Sequence, residues 1–359
     1  WTRGDLNSGV EPCEEADYGR LAPAMNLKTT PPTDAKTRFL NKKRSHVTDK
    51  TIHNYDATLS QFLDFLDSEG TADMRDVTSD TIARFEEHRL RSVKPITCRN
   101  DMRIVKNFIQ FCESIQAVPA RLHELIQVTK VKPGDEVCDD FVTREEAVAI
   151  LDRLSKFDYA STRHVVFLLL WKCGMRISGL RALDVEDFDE GRPAIEIRHR
   201  PGTRTPLKRK LDSERDVFIT PDTAEVVADY IETTRPDVTD DYDRTPLIAT
   251  THGRASRTTI TKHVYLSTSP CFYNGGTCPF NEDPQECEAT GWGQASKCPG
   301  SVSPHALRRG YVTAARNAGQ PKDVTGDRVN MSGSILDRHY DKGSHDEKAE
   351  RRKDYLKDI

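Results

Sequence analysis

The chain has 359 residues, with 53 basic and 57 acidic side chains and a formal net charge of −4. That length predicts two domains rather than one, with ample material for buried cores. The longest apolar stretch, Val165 to Trp171, is far shorter than the roughly eighteen residues a membrane span needs, so no transmembrane segment is expected.

An acidic total speaks against a uniformly basic nucleic-acid binder. A charged fraction of 31%, rich in Asp, is also what a salt-adapted protein shows, and there phosphate contacts would lean on geometry more than on bulk charge. The start is polar, lacks a signal-peptide pattern and has no initiator Met. It reads as a fragment or a processed chain, with the cytoplasm as default compartment.

Residues 1–36 carry Gly, Pro and acidic side chains without an apolar period and read as a disordered tail. Residues 37–126 read as an all-helical domain. Ile52, Tyr55, Leu59, Phe62, Leu63 and Leu66 recur at helical spacing, with Thr48 as N-cap and Gly70 as stop. A second helix runs from Thr78 to Leu90. Pro95 breaks the chain, and a third helix begins near Thr97. It sends Met102, Val105, Phe108, Ile109 and Cys112 inward and a basic stripe, Arg99, Arg103 and Lys106, outward. A short helix from Pro119 to Ile126 closes the unit, and residues 127–142, with Pro133 and Gly134, read as a linker.

Residues 143–359 predict a second, mixed domain. Thr143 and Glu146 form a capping box that opens a helix to about Leu154. Ser161 to Cys173 is apolar all round, hence buried, and Gly174 ends it. Two short strands, Ala194–Arg198 and Asp216–Ile219, flank a basic turn holding Arg198, Arg200, Arg204, Lys208, Arg209 and Lys210. Thr220 and Pro221 open a helix to about Thr234. A cysteine-rich insertion occupies about 268–300. Ser303 and Pro304 then open a helix that Gly319 ends, followed by helices over Pro321–Arg328, Ser334–Tyr340 and Glu347–Leu356. The expected fold class is mainly α with a small β-sheet.

Of nine cysteines, Cys13, Cys98, Cys112, Cys138 and Cys173 are scattered, whereas Cys271, Cys278, Cys287 and Cys298 crowd together. Six, eight and ten residues separate the crowded four, without a CxxC knuckle. Three readings stand, in this order: a structural zinc site, free thiols, and disulfides, which a reducing compartment disfavours.

His305 and Arg308, three apart in SPHALRRG, share one helix face, and Arg309 faces elsewhere. Alone, the pair reads as surface. Arg176 directly follows the buried helix and needs an anionic partner there, either a carboxylate or a phosphate, whose two oxygens suit the guanidinium fork. With the basic hairpin and Tyr340 in ILDRHYDKGS, the order Arg, Lys, His-x-x-Arg, Tyr is complete. In GMRISGLRALDVEDFD, SPHALRRGYVTAARNAG and the thirty-five-residue step from His305 to Tyr340, the chain resembles the tyrosine recombinase, or phage-integrase, family. The resemblance runs from about Thr37 to Leu356, and the wording of the later motifs and the cysteine segment resembles the haloarchaeal branch.

The resemblance implies a helical core-binding domain and a mixed α/β catalytic domain that cut and rejoin double-stranded DNA as a tetramer on two sites. Arg176 and Arg308 would clamp the scissile phosphate, and Tyr340 would form a covalent 3′-phosphotyrosine. His305 would assist proton loss or bind phosphate. A hairpin lysine, Lys208 ahead of Lys210, would protonate the leaving oxygen. Arg99, Arg103, Lys106 and Arg204 are the expected DNA contacts. No cofactor is implied for catalysis. Two positions depart from the family: Met331 stands where many members have His or Trp, beside Asn330, and Gly179 stands where Glu is frequent. The Met331 departure keeps open a degenerate integrase-like DNA binder, and the shared chemistry keeps open a type IB topoisomerase-like relaxing enzyme.

Overall fold

The computed structural model describes residues 27–128, 130–132 and 140–353. Residues 1–26 of the expected tail, the centre of the expected linker, Cys13, Cys138, Tyr355 and Leu356 lie outside the described residues. The chain divides into two compact units between residues 136 and 137.

The first unit is helical, with no strand among its described residues: α1 Pro32–Arg44, α2 Asp49–Ser68, α3 Ser79–Leu90, α4 Pro95–Ser114 and α5 Leu122–Leu125. Its core joins Phe39, Phe62, Phe85 and Phe108, with Phe39 and Phe108 edge to face at 5.6 Å. Thr48 caps α2 as its spacing requires, and Thr78 caps α3 in a reciprocal capping box with Thr81. Two sequence expectations shift. Residues 32–36 belong to α1, whose Ala35 is fully buried, so the tail reading fails at its last turn. Pro95 starts α4 instead of breaking the chain ahead of it, because a first-turn position needs no N–H and the ring pre-sets φ.

The second unit is built round α7, Thr162–Cys173, buried on every face from His164 to Trp171. Ser161 caps its start and Gly174, at φ +56°, ends it. It packs against α6 (Arg144–Phe157), α10 (Arg257–Thr268) and α12 (Pro304–Asn317). Between them in chain order stand α8 (Ile177–Ala182), a three-stranded antiparallel sheet of β1 (Phe188–Asp189), β2 (Ala194–Ile197) and β3 (Arg215–Phe218), α9 (Pro221–Asp229), the β4–β5 hairpin (Ala249–Thr250, Gly253–Arg254) and α11 (Pro270–Tyr273). Ile195 pairs with Phe188 on one side and Val217 on the other. The described chain ends with α13 (Lys322–Val329), α14 (Gly333–His339) and α15 (His345–Lys353). Strand β1, the β4–β5 hairpin and α10 carry no strong sequence signal: two-residue strands show no alternation, and α10 hides its apolar positions among Thr and Ser.

Beneath the sheet a carboxylate network fixes the loops. Asp184, 1% exposed, is held by the guanidinium groups of Arg244 and Arg254, and Arg254 also reaches Asp240 at 2.7 Å. Arg200 makes a two-pronged pair with Asp187 at 2.6 and 2.8 Å.

Candidate active site

Arg308 lies on the inner face of α12 and is 1% exposed. Its Nη1 donates to the carbonyl of Gly174 and its Nη2 to that of Val329, each at 2.6 Å, whereas its Nε has no hydrogen-bond partner. Gly174 makes this possible: a Cβ there would strike the Tyr311 ring and Val329, and its positive φ suits glycine. Two residues on, Arg176 is the N-cap of α8 and donates Nη1 to the carbonyl of Asn330 at 3.3 Å. The structure thus brings the two expected arginines together through the end of the buried helix.

Tyr340 closes α14. Its N–H donates to Leu336 at 3.0 Å, and its carbonyl accepts from Thr313 Oγ1 at 3.1 Å. Its ring rests on the apolar cluster of Val312, Val329, Met331 and Leu336, with the Arg308 guanidinium carbon 5.4 Å from the ring centroid. Burial, then repulsion from Arg176, pulls the Arg308 pKa down to about 9, and the Tyr340 hydroxyl works in the opposite direction on both arginines. Phenol and guanidinium groups therefore share one site.

His305 is exposed in the first turn of α12. Partial desolvation, followed by the charges of Arg308, Arg309, Arg176 and Lys208, lowers its pKa to about 4. It is therefore neutral near pH 7. Lys208 projects from the β2–β3 loop close enough to act on it; Lys210, in a positive-φ turn, is not among the charges that do. Of the basic turn, Arg198 is spent on Glu196 and Asp216 and Arg200 on Asp187.

Three residues not singled out as part of the site join it. Arg209 donates to Asn330 Oδ1 at 3.3 Å, and Asn330, itself at φ +52°, donates Nδ2 to the carbonyl of Asp212 at 2.6 Å. Asn330 thereby ties the hairpin to Arg176. Arg215 is pulled down to about 10 by burial and then by Arg176, and it donates to the carbonyls of Arg328 and Ser213. Its signal was available: in β3 it is in phase with buried Val217, an arginine on the inward face. Met331, 7% exposed, packs in the apolar cluster and offers no proton-carrying group. Among the described residues none of Arg176, Arg209, Arg215 and Arg308 forms an ion pair with a carboxylate. Four cations facing one site without a counter-ion make a cradle for a phosphate.

The other expected contacts belong to other elements. Arg99, Arg103 and Lys106 share a face of α4; Arg103 is exposed, while Lys106 donates its ammonium to the carbonyl of Ile126 at 3.0 Å and is committed to the fold. Arg204 is exposed at φ +53°, its carbonyl holding Arg181. The four crowded cysteines form no disulfide and line one cavity, and burial followed by the neighbouring Cys298, Cys278 and Cys287 raises the Cys271 thiol. Among the described residues no group of three or more His, Cys, Asp or Glu side chains, as they stand, is arranged to hold a metal ion. No helix among them is long and apolar enough to cross a membrane.

This architecture is the fold of lambda-integrase-like tyrosine recombinases. A lambda integrase dimer bound to a COC′ core site superposes with a TM-score of 0.61 at 12% identity, covering 89% of this chain and 79% of that one. A lambda integrase tetramer bound to a Holliday junction gives 0.59 at 12% identity over 89% and 80%. The Tn1549 transposon integrase in complex with a circular intermediate DNA gives 0.60 at 12% identity over 90% and 99%. No protein-family model matches the sequence, and no curated protein does.

Proposed function

We propose that this chain is a site-specific DNA recombinase that cuts and rejoins double-stranded DNA through Tyr340. The observation that carries the reading is the convergence of Tyr340 with Arg176 and Arg308, two arginines held by main-chain carbonyls and left without a carboxylate. In the reaction the Tyr340 oxygen attacks the scissile phosphorus as its proton passes to His305. The bond from phosphorus to the 5′-oxygen breaks, and Lys208 gives the leaving oxygen its proton. The phosphotyrosine keeps the bond energy, so the reverse steps with a new 5′-hydroxyl rejoin the strand. Arg176 and Arg308 stabilise the charge that grows on the phosphoryl oxygens, so neither a metal nor a nucleotide is asked of the chemistry. Arg103 and Arg99 on α4 and Arg204 on the hairpin track the backbone elsewhere on the duplex. By analogy with the tetramer on a Holliday junction, four copies act on two sites. The wording of the His-x-x-Arg and Tyr340 motifs and of the cysteine segment supports a haloarchaeal affiliation within this reading.

The test is a nicked duplex that traps covalent intermediates, drawn from the flanks of the chain's own genomic locus and assayed from low to molar salt. The expected product is a protein–DNA adduct whose peptide maps to Tyr340, absent in Tyr340→Phe while DNA binding stays near wild type. Tight binding with no adduct at any salt favours the second reading, a DNA-holding protein that has lost cleavage, which the apolar packing of Met331 supports. Relaxation of an arbitrary supercoiled plasmid favours the topoisomerase-like alternative.

A further inference from the structure

The segment between α11 and α12 has almost no apolar core of its own and is held by polar and ring contacts, Trp292 against His263 at 4.7 Å and Lys297 on Glu288 at 2.9 Å. From residue 274 to 300 its only buried apolar side chains are Ala289 and Ala295, while Phe280 and Trp292 are each 42% exposed. It contains two three-residue 3-10 turns, Glu288–Thr290 and Ala295–Lys297, and no strand. A stretch of this length with two alanines for a core does not order itself by burial; it needs a staple. The remaining cysteines described, Cys98, Cys112 and Cys173, are fully buried in helical cores and serve as small hydrophobes. Cys271, Cys278, Cys287 and Cys298 do not: all four are half-exposed, unpaired, and line the same cavity, which also draws in Glu282 and Glu286. The cavity measures about 430 Å³.

We propose that Cys271, Cys278, Cys287 and Cys298 form a four-thiolate site for zinc, which staples this segment and sets the entry of the helix that carries His305. The thiols surround the cavity without converging on one point, so capture of the ion means rotation of their single side-chain torsions onto it, to a Zn–S distance of about 2.3 Å. Each thiol gives up its proton to solvent on binding, and no electron is transferred. Four sulfur ligands with no fifth open position make a structural site. The staple is wired to the fold at both ends. Phe272 packs on the second-unit core, and Tyr273 donates to Glu146 at 3.3 Å. Ser301 donates its hydroxyl to Ala295 and Cys298 at 3.0 Å, and the next residue, Val302, donates its N–H to Thr268 at the end of α10. Cys298 is seven residues before His305. This inference does not depend on the recombinase reading, since its first readout is metal content.

The experiment uses the full chain produced in zinc-supplemented medium under reducing conditions. Elemental analysis is expected to return one zinc per chain. Exchange for cobalt(II) should give the intense visible bands of a tetrahedral thiolate site. Cys287→Ser should lose the ion and become open to proteolysis within 274–300 while the rest resists. To keep the test independent of that variant's folding, wild-type protein is also titrated with an organomercurial and the labelled peptides are mapped: zinc should leave in step with Cys271, Cys278, Cys287 and Cys298, whatever Cys13 and Cys138 do, while Cys98, Cys112 and Cys173 react only after unfolding. Zinc-free protein from zinc-replete cells, or a mass showing the four sulfurs oxidised to two disulfides, overturns the proposal.

Discussion

The second unit holds two buried groups of arginines with opposite electrostatics. Round Asp184, each guanidinium meets a carboxylate: Arg244 and Arg254 on Asp184, Arg254 again on Asp240, Arg200 on Asp187. Round Arg308, every partner described is a neutral carbonyl or a phenol ring. Removing a guanidinium from water is expensive in both places, but only the first group recovers that cost within the fold. The first is therefore structure, complete in itself. The second carries like charges without a counter-ion, a cost that the phosphate of the proposed reaction would relieve. Arginine content alone does not separate the two; the counter-ions do.

The sharpest way to break this comparison is one substitution in each group. Asp184→Asn leaves Arg244 and Arg254 buried without their carboxylate and is expected to lower unfolding free energy by roughly 3–5 kcal/mol in a denaturant titration. Arg308→Met removes an uncompensated charge at similar volume. Its stability change is expected to be clearly smaller, while the covalent adduct is lost altogether. If Arg308→Met destabilises the protein as much as Asp184→Asn does, the charge at Arg308 is already neutralised and the contrast fails.

A second test separates the hairpin lysines. Lys208→Ala is expected to slow cleavage by about 10²- to 10⁴-fold, the usual contribution of a general acid, and Lys210→Ala to leave it within a fewfold. A substrate with sulfur at the leaving 5′ position, which departs without a proton, should restore the Lys208→Ala rate. Failure to restore it would reduce Lys208 to a phosphate contact.

The smallest effect is on pH. The His305 pKa of about 4 lies below the free-histidine value, as do those of His263, also near 4, and His164, in each case through burial first. Unfolded, these rings take up protons near pH 6.5 while the folded protein does not. Their contribution to stability is therefore present above 6.5 and drains away as pH falls toward 4. A bound phosphate reverses the field at His305 alone and raises its pKa. DNA affinity should then strengthen as pH falls from 6.5, a slope that His305→Asn should flatten. An unchanged slope would remove His305 from the phosphate.

Much of the molecule is readable in one dimension. Thr48 and Thr143 cap helices where the sequence puts them, and Thr78 and Ser161, read there only as helix starts, turn out to be caps as well, because capping is a local bond between residues three apart. The motif order Arg176, Lys208, His305, Arg308, Tyr340 is visible for the same reason: each residue sits in a short signature. What one dimension hides is pairing. Arg198, Arg200 and Lys208 look alike in a basic turn, and only their neighbours in space tell them apart, carboxylates for the first two and the charge field at His305 for the third. Arg209, Arg215 and Asn330 enter the site through contacts over a hundred residues long in sequence, such as Arg209 to Asn330. The sequence by itself determined the helices, the buried α7 and the inventory of reactive side chains, since these follow from local bonds and from period. The tertiary structure decided which charges are neutralised and which are left to meet a ligand, because screening and desolvation depend on distance in space and not along the chain.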